Sequence, residues 1–214
     1  MVIAGRTALD WTLDRLLAAP AISTVTVALS AERLDDEPAR LASASRARER
    51  LRFVVGGEHR QDSVARCLAA SPAAPDDLVL VHDGGRPCLA SEDLDRVVAA
   101  ARRHGAAVLG RPVTDTLKRV RGEWIEGTVD RSDLFRAETP QVVRRADLER
   151  ALDAAFREGL RATDEAGLLE HVGLRVRAVE ARGANPKLTV AADLELIEQM
   201  LLRQSGAGAE RRTG

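Results

Sequence analysis

The chain has 214 residues, 45% hydrophobic and 30% charged, enough for one α/β domain with a sizeable core. A net charge of −1 and an aromatic content of 2%, with no tyrosine, argue against a nucleic-acid partner, an anionic membrane surface or a base-stacking platform. No apolar run reaches about 18 residues and no basic-then-apolar leader is visible. Cys67 and Cys88 fall in no CxxC or Cys/His cluster, so the expectation is a cytoplasmic protein with reduced thiols and no zinc site.

Thr7 and Asp10 have the spacing of a capping box, and Leu9, Leu13, Leu16 and Leu17 then share one helical face. Thr24–Leu29 is β-branched and reads as a strand. Residues 31–49 read as a loop and a surface helix, and Leu51–Val55 as a second strand ending at Gly56-Gly57. A short helix is expected over Asp62–Ala70, then a Pro-rich turn. Leu78–Val81 is a short apolar run without alternation, which predicts a strand buried on both faces. Ser91 is placed to cap the next helix and Gly105 to end it, with a strand from Ala106 onward. Leu117–Val120 and Trp124–Val129 flank Arg121-Gly122-Glu123, a hairpin signal. Helices at about 145–158 and 164–171, a half-exposed strand at Arg175–Val179 and a terminal helix over Ala191–Arg203 complete the pattern. Residues 1–204 read as a single domain with an arm at about 113–131, and 205–214 as a disordered tail. Strands alternating with helices predict a mostly parallel sheet. The hairpin cannot bury both faces alone, so it either lies on its own domain or grips a partner subunit.

The strand Leu78–Val81 runs into His82-Asp83-Gly84-Gly85-Arg86-Pro87. Parallel sheets bind ligands just beyond the carboxyl ends of their strands. An acid, a flexible backbone and a guanidinium at that edge suit a phosphate and a divalent cation. Gly56-Gly57-Glu58-His59-Arg60-Gln61-Asp62-Ser63 joins a strand to a helix, where backbone N–H groups and Ser63 can hold an anion or the polar edge of a base; a tight turn with a helix cap explains it equally well. Thr114, Thr116, Lys118 and Arg131 gather hydroxyls and cations at the hairpin base, a solvated ribbon end or a receptor for a phosphate monoester. Asp164 and Glu165 are sufficiently explained as helix-capping residues. Lys187 lies in a polar loop and is one of two lysines in a chain that favours arginine, the other being Lys118.

In order, GGEHRQDSV (56–64), LVLVHDGGRPC (78–88), PVTDTLKR (112–119), TVDRSDLF (128–135), ETPQ (138–141), TDEAGLLE (163–170) and NPKLT (185–189) make the chain resemble the 2-C-methyl-D-erythritol 4-phosphate cytidylyltransferases of isoprenoid precursor synthesis. The resemblance runs from about Ile3 to Gln204. It implies a Rossmann-like nucleotidyltransferase fold, mostly parallel with a protruding β-hairpin arm. It also implies transfer of CMP from CTP to a sugar-alcohol phosphate, with release of pyrophosphate. Asp83 would hold Mg²⁺ against the triphosphate. Gly57, Glu58, Arg60, Ser63 and Gly84 would surround the cytosine and ribose. Lys187 would neutralise the attacking or α-phosphate. Thr116 and Arg131 would bind the erythritol phosphate from a partner's arm, which implies a homodimer, and Arg86 and Thr163 would line the same pocket. The family also begins with a central strand and a Gly-rich basic loop around the triphosphate. Met1–Thr7 corresponds to the segment after that loop, so the expectation is a chain lacking its first central strand, through a mis-assigned start or as a fragment, with poor activity as it stands. The alternatives are a non-catalytic relative that dimerises or binds nucleotide weakly, and a cytidylyltransferase for ribitol 5-phosphate.

Overall fold

The computed structural model describes residues 2–44 and 48–210. Two short strands, β1 (Val2–Ile3) and β2 (Arg6–Thr7), form a small antiparallel hairpin. Ala4 and Gly5 make its turn with φ of 48° and 77°. Ile3 is fully buried against Ile197 and Leu201, and its carbonyl accepts the Trp11 indole N–H at 3.1 Å. Helix α1 (Ala8–Ala18) opens with the expected capping box, Thr7 Oγ1 accepting from Asp10 N at 3.2 Å and Asp10 Oδ2 accepting from Thr7 N at 2.8 Å.

Strand β3 (Val25–Leu29) leads through α2 (Glu37–Ala44) to β4 (Leu51–Val55), which pairs with it in parallel. Then come α3 (Arg60–Ala70), β5 (Leu78–Val81), α4 (Ser91–His104) and β6 (Ala106–Pro112). Ser91 is the first helical residue of α4 and not its cap: Ala90 holds the N-cap position with no side-chain bond. Gly105 ends the helix at φ 90° as expected. Strands β7 (Leu117–Arg121) and β8 (Trp124–Val129) form the expected hairpin. A ten-residue strand, β9 (Phe135–Arg144), follows where the sequence pattern indicates none. Helices α5 (Arg145–Glu158) and α6 (Glu165–His171), strand β10 (Arg177–Glu180) and helix α7 (Asp193–Glu210) finish the chain. α7 continues past the expected end at Arg203, and residues 211–214 of the expected tail lie outside the described residues.

The larger sheet has the order β10-β6-β9-β5. β10 and β6 are parallel, and β9 runs antiparallel to both β6 and β5. Three strands therefore share one direction and β9 alone is reversed. Period-two alternation along β9 sends Val142 into a core with α4 and Val143 into a second core with α5 and α6, so helices cover both faces. The smaller β3–β4 sheet packs on α1 and α2 through Leu13, Val27, Leu29 and Leu41.

Among the described residues, β3 pairs only with β4, and β5 only with β9. Between the two sheets lies a cavity of about 910 Å³. Val25, Val27, Leu78 and Leu80 line its sides, Leu13 and Leu16 of α1 one wall, and Val64 and Leu68 of α3 the other. This is why Leu78–Val81, expected to be fully buried, is only partly buried.

At Gly110 the β6–β9 register shifts, and a Cβ there would lie 2.4 Å from both the Arg136 carbonyl oxygen and the Phe135 ring. Because that carbonyl is backbone in the paired strand, Gly110→Ala is expected to destabilise the fold by about 1–3 kcal/mol. Urea unfolding measures this, and an unchanged midpoint would show that β9 gives way at no cost.

Candidate active site

The carboxyl ends of β4 and β5 meet at one edge. The turn after β4 is tight: a Cβ on Gly57 would lie 2.2 Å from the Asp62 Cβ, so only glycine fits. Ser63 closes the turn, its hydroxyl accepting from Gly57 N at 3.0 Å and lying 3.3 Å from the His59 carbonyl that receives its proton. Asp62 Oδ2 accepts from His59 N at 3.1 Å and Asp62 Oδ1 pairs with Arg161 at 2.6 Å. Helix α3 starts two residues earlier than expected, which places Arg60 on its first turn, aimed across at β5.

Asp83 is the centre of the site. Its carboxylate meets Lys187 Nζ at 3.0 Å, Arg60 Nε at 3.4 Å and Arg86 Nε at 3.5 Å. Burial opposes ionisation of Asp83, but Lys187, then Arg60 and Arg86, outweigh it and hold the carboxyl below its ordinary value. Arg60 is also gripped from behind by Glu165, Nη1 at 2.5 Å and Nη2 at 2.9 Å from its two oxygens. Glu165 is 1% exposed; burial pushes its carboxyl up, against the pull of Arg60. The bidentate pair answers the cost of burying that charge. Arg86 Nη1 donates to the Asn185 carbonyl at 2.7 Å, and Leu188 N donates to the Gly85 carbonyl at 2.8 Å. These two bonds stitch the 185–188 loop to the glycine turn and hold Lys187 over Asp83. The mouth of the large cavity opens onto the same group, since Arg60, Ser63, Asp83, Gly84, Gly85 and Lys187 are all in its lining.

The structure thus brings together Asp83, Lys187, Arg60 and Arg86, with Gly57, Ser63 and Gly84 alongside. Glu58, Gly84 and Thr163 are exposed. Thr116 and Arg131 are exposed on the hairpin base, where Arg131 donates to the Thr114 carbonyl, and among the described residues no hydrogen bond or ion pair joins either to the Asp83 cluster. Sequence reasoning missed Glu165, assigned only to capping, and gave no role to His82, Thr139 or Asn185. The capping falls to Asp164, whose Oδ1 accepts from Gly167 N at 2.9 Å. The one available signal was a second acidic residue directly after that cap, ahead of the run Ala166-Gly167-Leu168-Leu169.

A mixed α/β sheet in which β9 alone runs against the other three strands, where a mostly parallel one was expected, a glycine turn at a strand end and a carboxylate ringed by three cations define a nucleotidyltransferase-type domain. The family model "IspD: 2-C-methyl-D-erythritol 4-phosphate cytidylyltransferase" matches residues 1–203, and the chain belongs to that family. Among curated members, the cytidylyltransferase of Aeromonas hydrophila is 43% identical over 205 residues, 95% of this chain and 81% of the relative. That of Vibrio atlanticus is 39% identical over 200 residues, 92% of this chain and 83% of the relative. The crystal structure of the Thermus thermophilus cytidylyltransferase superimposes with a TM-score of 0.79 at 38% identity, covering 94% of this chain and 91% of that one.

His82 lies beneath the site. Burial, only partly opposed by the Arg86 carbonyl and the Asp83 charge, lowers its pKa to about 4. The unfolded chain binds a proton near pH 6.5 and the folded one does not. His82 therefore costs no stability above about pH 6.5, and stability falls between there and about pH 4, by up to about 1.4 kcal/mol per pH unit. Urea unfolding at several pH values should show this slope in the parent and not in His82→Asn; equal slopes would locate the effect elsewhere.

Proposed function

We propose that this chain transfers CMP from CTP to 2-C-methyl-D-erythritol 4-phosphate, releasing pyrophosphate and forming the CDP-alcohol of the non-mevalonate isoprenoid pathway. The observation that carries the reading is the Asp83–Lys187–Arg60 cluster at the strand ends, found in a chain of this family. A phosphate oxygen of the alcohol attacks the α-phosphorus of CTP, and the bond to the pyrophosphate oxygen breaks. Such chemistry requires positioning and charge neutralisation more than covalent help from the protein. Lys187, whose side chain is 45% exposed, neutralises the attacking or α-phosphate. Gly57, Glu58, Arg60, Ser63 and Gly84 surround cytosine and ribose, and Arg86 and Thr163 complete the pocket.

Asp83 fits a Mg²⁺ ion. Among the described residues no group of three or more His, Cys, Asp or Glu side chains forms a metal cage. A lone carboxylate is what Mg²⁺ uses when substrate phosphates and water fill the remaining positions. When bound, the ion neutralises charge on the triphosphate.

Thr116 and Arg131 bind the erythritol phosphate from the hairpin arm of a second copy. The arm carries Trp124 at 80% exposure and Ile125 at 66%, apolar surface that a homodimer would cover. We also read the cavity between β3 and β5 as the seat of one further strand, since two open strand edges and two apolar helix walls enclose it. No described helix is long and apolar enough to cross a membrane. A cytoplasmic location agrees with two free cysteines whose thiols burial pushes up to about 11.

Two substitutions test the assignment by following pyrophosphate release. Asp83→Asn should lower kcat by about 100-fold or more, and near-parent turnover would remove Asp83 from the centre of the chemistry. Arg131→Ala removes a charge-assisted contact worth about 1.5–3 kcal/mol, so KM for the alcohol phosphate should rise by about 10- to 100-fold with KM for CTP little changed. An equal rise in both would contradict the arm's role.

A further inference from the structure

The first turn of α3 makes a row of contacts for which the reaction itself has no use. Three consecutive residues, Arg60, Gln61 and Asp62, each reach across to residues 160–165, between the end of α5 and the first turn of α6. Arg60 meets the two Glu165 oxygens at 2.5 and 2.9 Å. Gln61 is 4% exposed, and both ends of its amide are satisfied by the connection: Nε2 donates to the Leu160 carbonyl at 3.3 Å and Oε1 accepts from Ala162 N at 3.2 Å. Asp62 Oδ1 accepts from Arg161 Nη1 at 2.6 Å, while its other oxygen accepts from His59 N at 3.1 Å. Residues 160, 161 and 162 are thus clasped, one after another, to the helix that begins at the nucleotide turn. A one-residue slip of the connection would set the Gln61 amide against groups of the wrong polarity, and a buried group left unpaired costs more than its bond gives.

The next residues are held from the other side. Gln141 of β9 donates to Asp164 Oδ2 at 2.9 Å and accepts from Ala166 N at 2.8 Å. Thr163 stands between the two clamps. It is exposed, and among the described residues its hydroxyl has no hydrogen-bond partner. A free hydroxyl on a segment fixed at both sides is placed for a ligand in advance of binding. The two clamps are separable in their effects. Gln141 secures the residues that flank Glu165, and with them the aim of Arg60; Gln61 and Asp62 secure the approach to Thr163.

We propose that Gln61 and Asp62 are positioning residues for the alcohol phosphate: by clasping residues 160–162 to α3 they set where Thr163 stands, and so tie that side of the pocket to the nucleotide turn. The inference rests on the function proposed above and deepens it. Neither side chain touches substrate; each acts through the connection that carries Thr163. The two residues differ in kind. Gln61 acts from a buried place through neutral backbone bonds, and Asp62 acts at the surface through an ion pair with Arg161, whose side chain is 53% exposed. The buried amide therefore carries more of the effect than the screened pair. Because Asp62 also holds the His59 N–H, one carboxylate fixes the nucleotide turn and the Thr163 segment together.

The test uses Gln61→Leu, which fills a similar space without the amide, and Arg161→Glu, which sets a like charge against Asp62; Arg161→Lys returns the positive charge. Affinities for CTP and for 2-C-methyl-D-erythritol 4-phosphate are read by calorimetry, and kcat and KM by pyrophosphate release. Gln61→Leu should weaken alcohol-phosphate binding and raise its KM by about 10-fold, and Arg161→Glu by about 3-fold. CTP affinity should stay near the parent value in both, and Arg161→Lys should match the parent throughout. In a Thr163→Val background, which already lacks the hydroxyl, Gln61→Leu should cost nothing further. A folded Gln61→Leu with parent alcohol-phosphate affinity overturns the proposal, as does an equal loss for both substrates or a full additional loss on top of Thr163→Val. Should Gln61→Leu fail to fold, the surface variant decides: parent affinity in Arg161→Glu, or a loss that Arg161→Lys shares, overturns it. A parent chain that binds neither substrate and releases no pyrophosphate overturns the function and this inference with it. A parent that turns over while Gln61→Leu is unchanged overturns the positioning role alone.

Discussion

The site depends on one electrostatic constraint, a carboxylate held ionised in a partly dry place by more positive charge than it needs. Asp83 and Glu165 contribute two negative charges; Lys187, Arg60 and Arg86 contribute three positive ones. The cluster therefore carries one excess positive charge where the overall chain is nearly neutral. A local field of this kind attracts a polyanion without making the whole surface basic. It also explains why Glu165 is tolerated at 1% exposure: without it Arg60 would be free to fold onto Asp83, and without Arg60 the buried carboxylate would be uncompensated.

Most of the fold was legible because it is local. The capping box at Thr7, the strands at 25–29, 51–55 and 78–81, the hairpin and the helix around 145–158 all follow from periodicity and turn chemistry. β9 was missed for a physical reason. It reads Phe-Arg-Ala-Glu-Thr-Pro-Gln-Val-Val-Arg, and Pro140 with four charged or amide side chains in ten residues breaks the strand pattern despite Phe135, Thr139, Val142 and Val143. Tertiary context overrides those preferences. Of its polar residues, Glu138, Thr139 and Gln141 are buried, while Arg136 and Arg144 are exposed, and the register shift at Gly110 on the neighbouring strand absorbs the irregularity. The β1–β2 hairpin escaped notice because two-residue strands carry no pattern.

The charged site was legible in part and for a related reason. Asp83, Arg60, Arg86 and Lys187 announce themselves as charges beside glycine turns. Glu165, Thr139 and Asn185 do not, because each is matched to a partner far away in sequence, Glu165 to Arg60 and Thr139 to Asp83 and Asn185. A residue whose purpose is to satisfy a distant buried group has no local signature. It shows only as one more polar side chain, which in the sequence is indistinguishable from a cap or a turn.

The hairpin poses the opposite problem, chemistry that is plain in sequence and spatially apart in the fold. A two-stranded ribbon buries neither face, and β7–β8 forms a sheet of its own. Its register shifts between Arg119 and Val120, a twist-inducing feature of projecting ribbons. Lys118 Nζ reaches Thr128 Oγ1 at 2.6 Å and Arg131 donates to the Thr114 carbonyl, so the base of the arm is ordered before any ligand arrives. An ordered base with an exposed apolar tip is a lever whose orientation is set at the root and whose position is set by what covers the tip. In the dimer proposed for this chain, the tip contact would decide how far Arg131 stands from the partner's nucleotide. Affinity for the alcohol phosphate would then depend on assembly, while the nucleotide half of the site, built wholly within one chain around Asp83, would not.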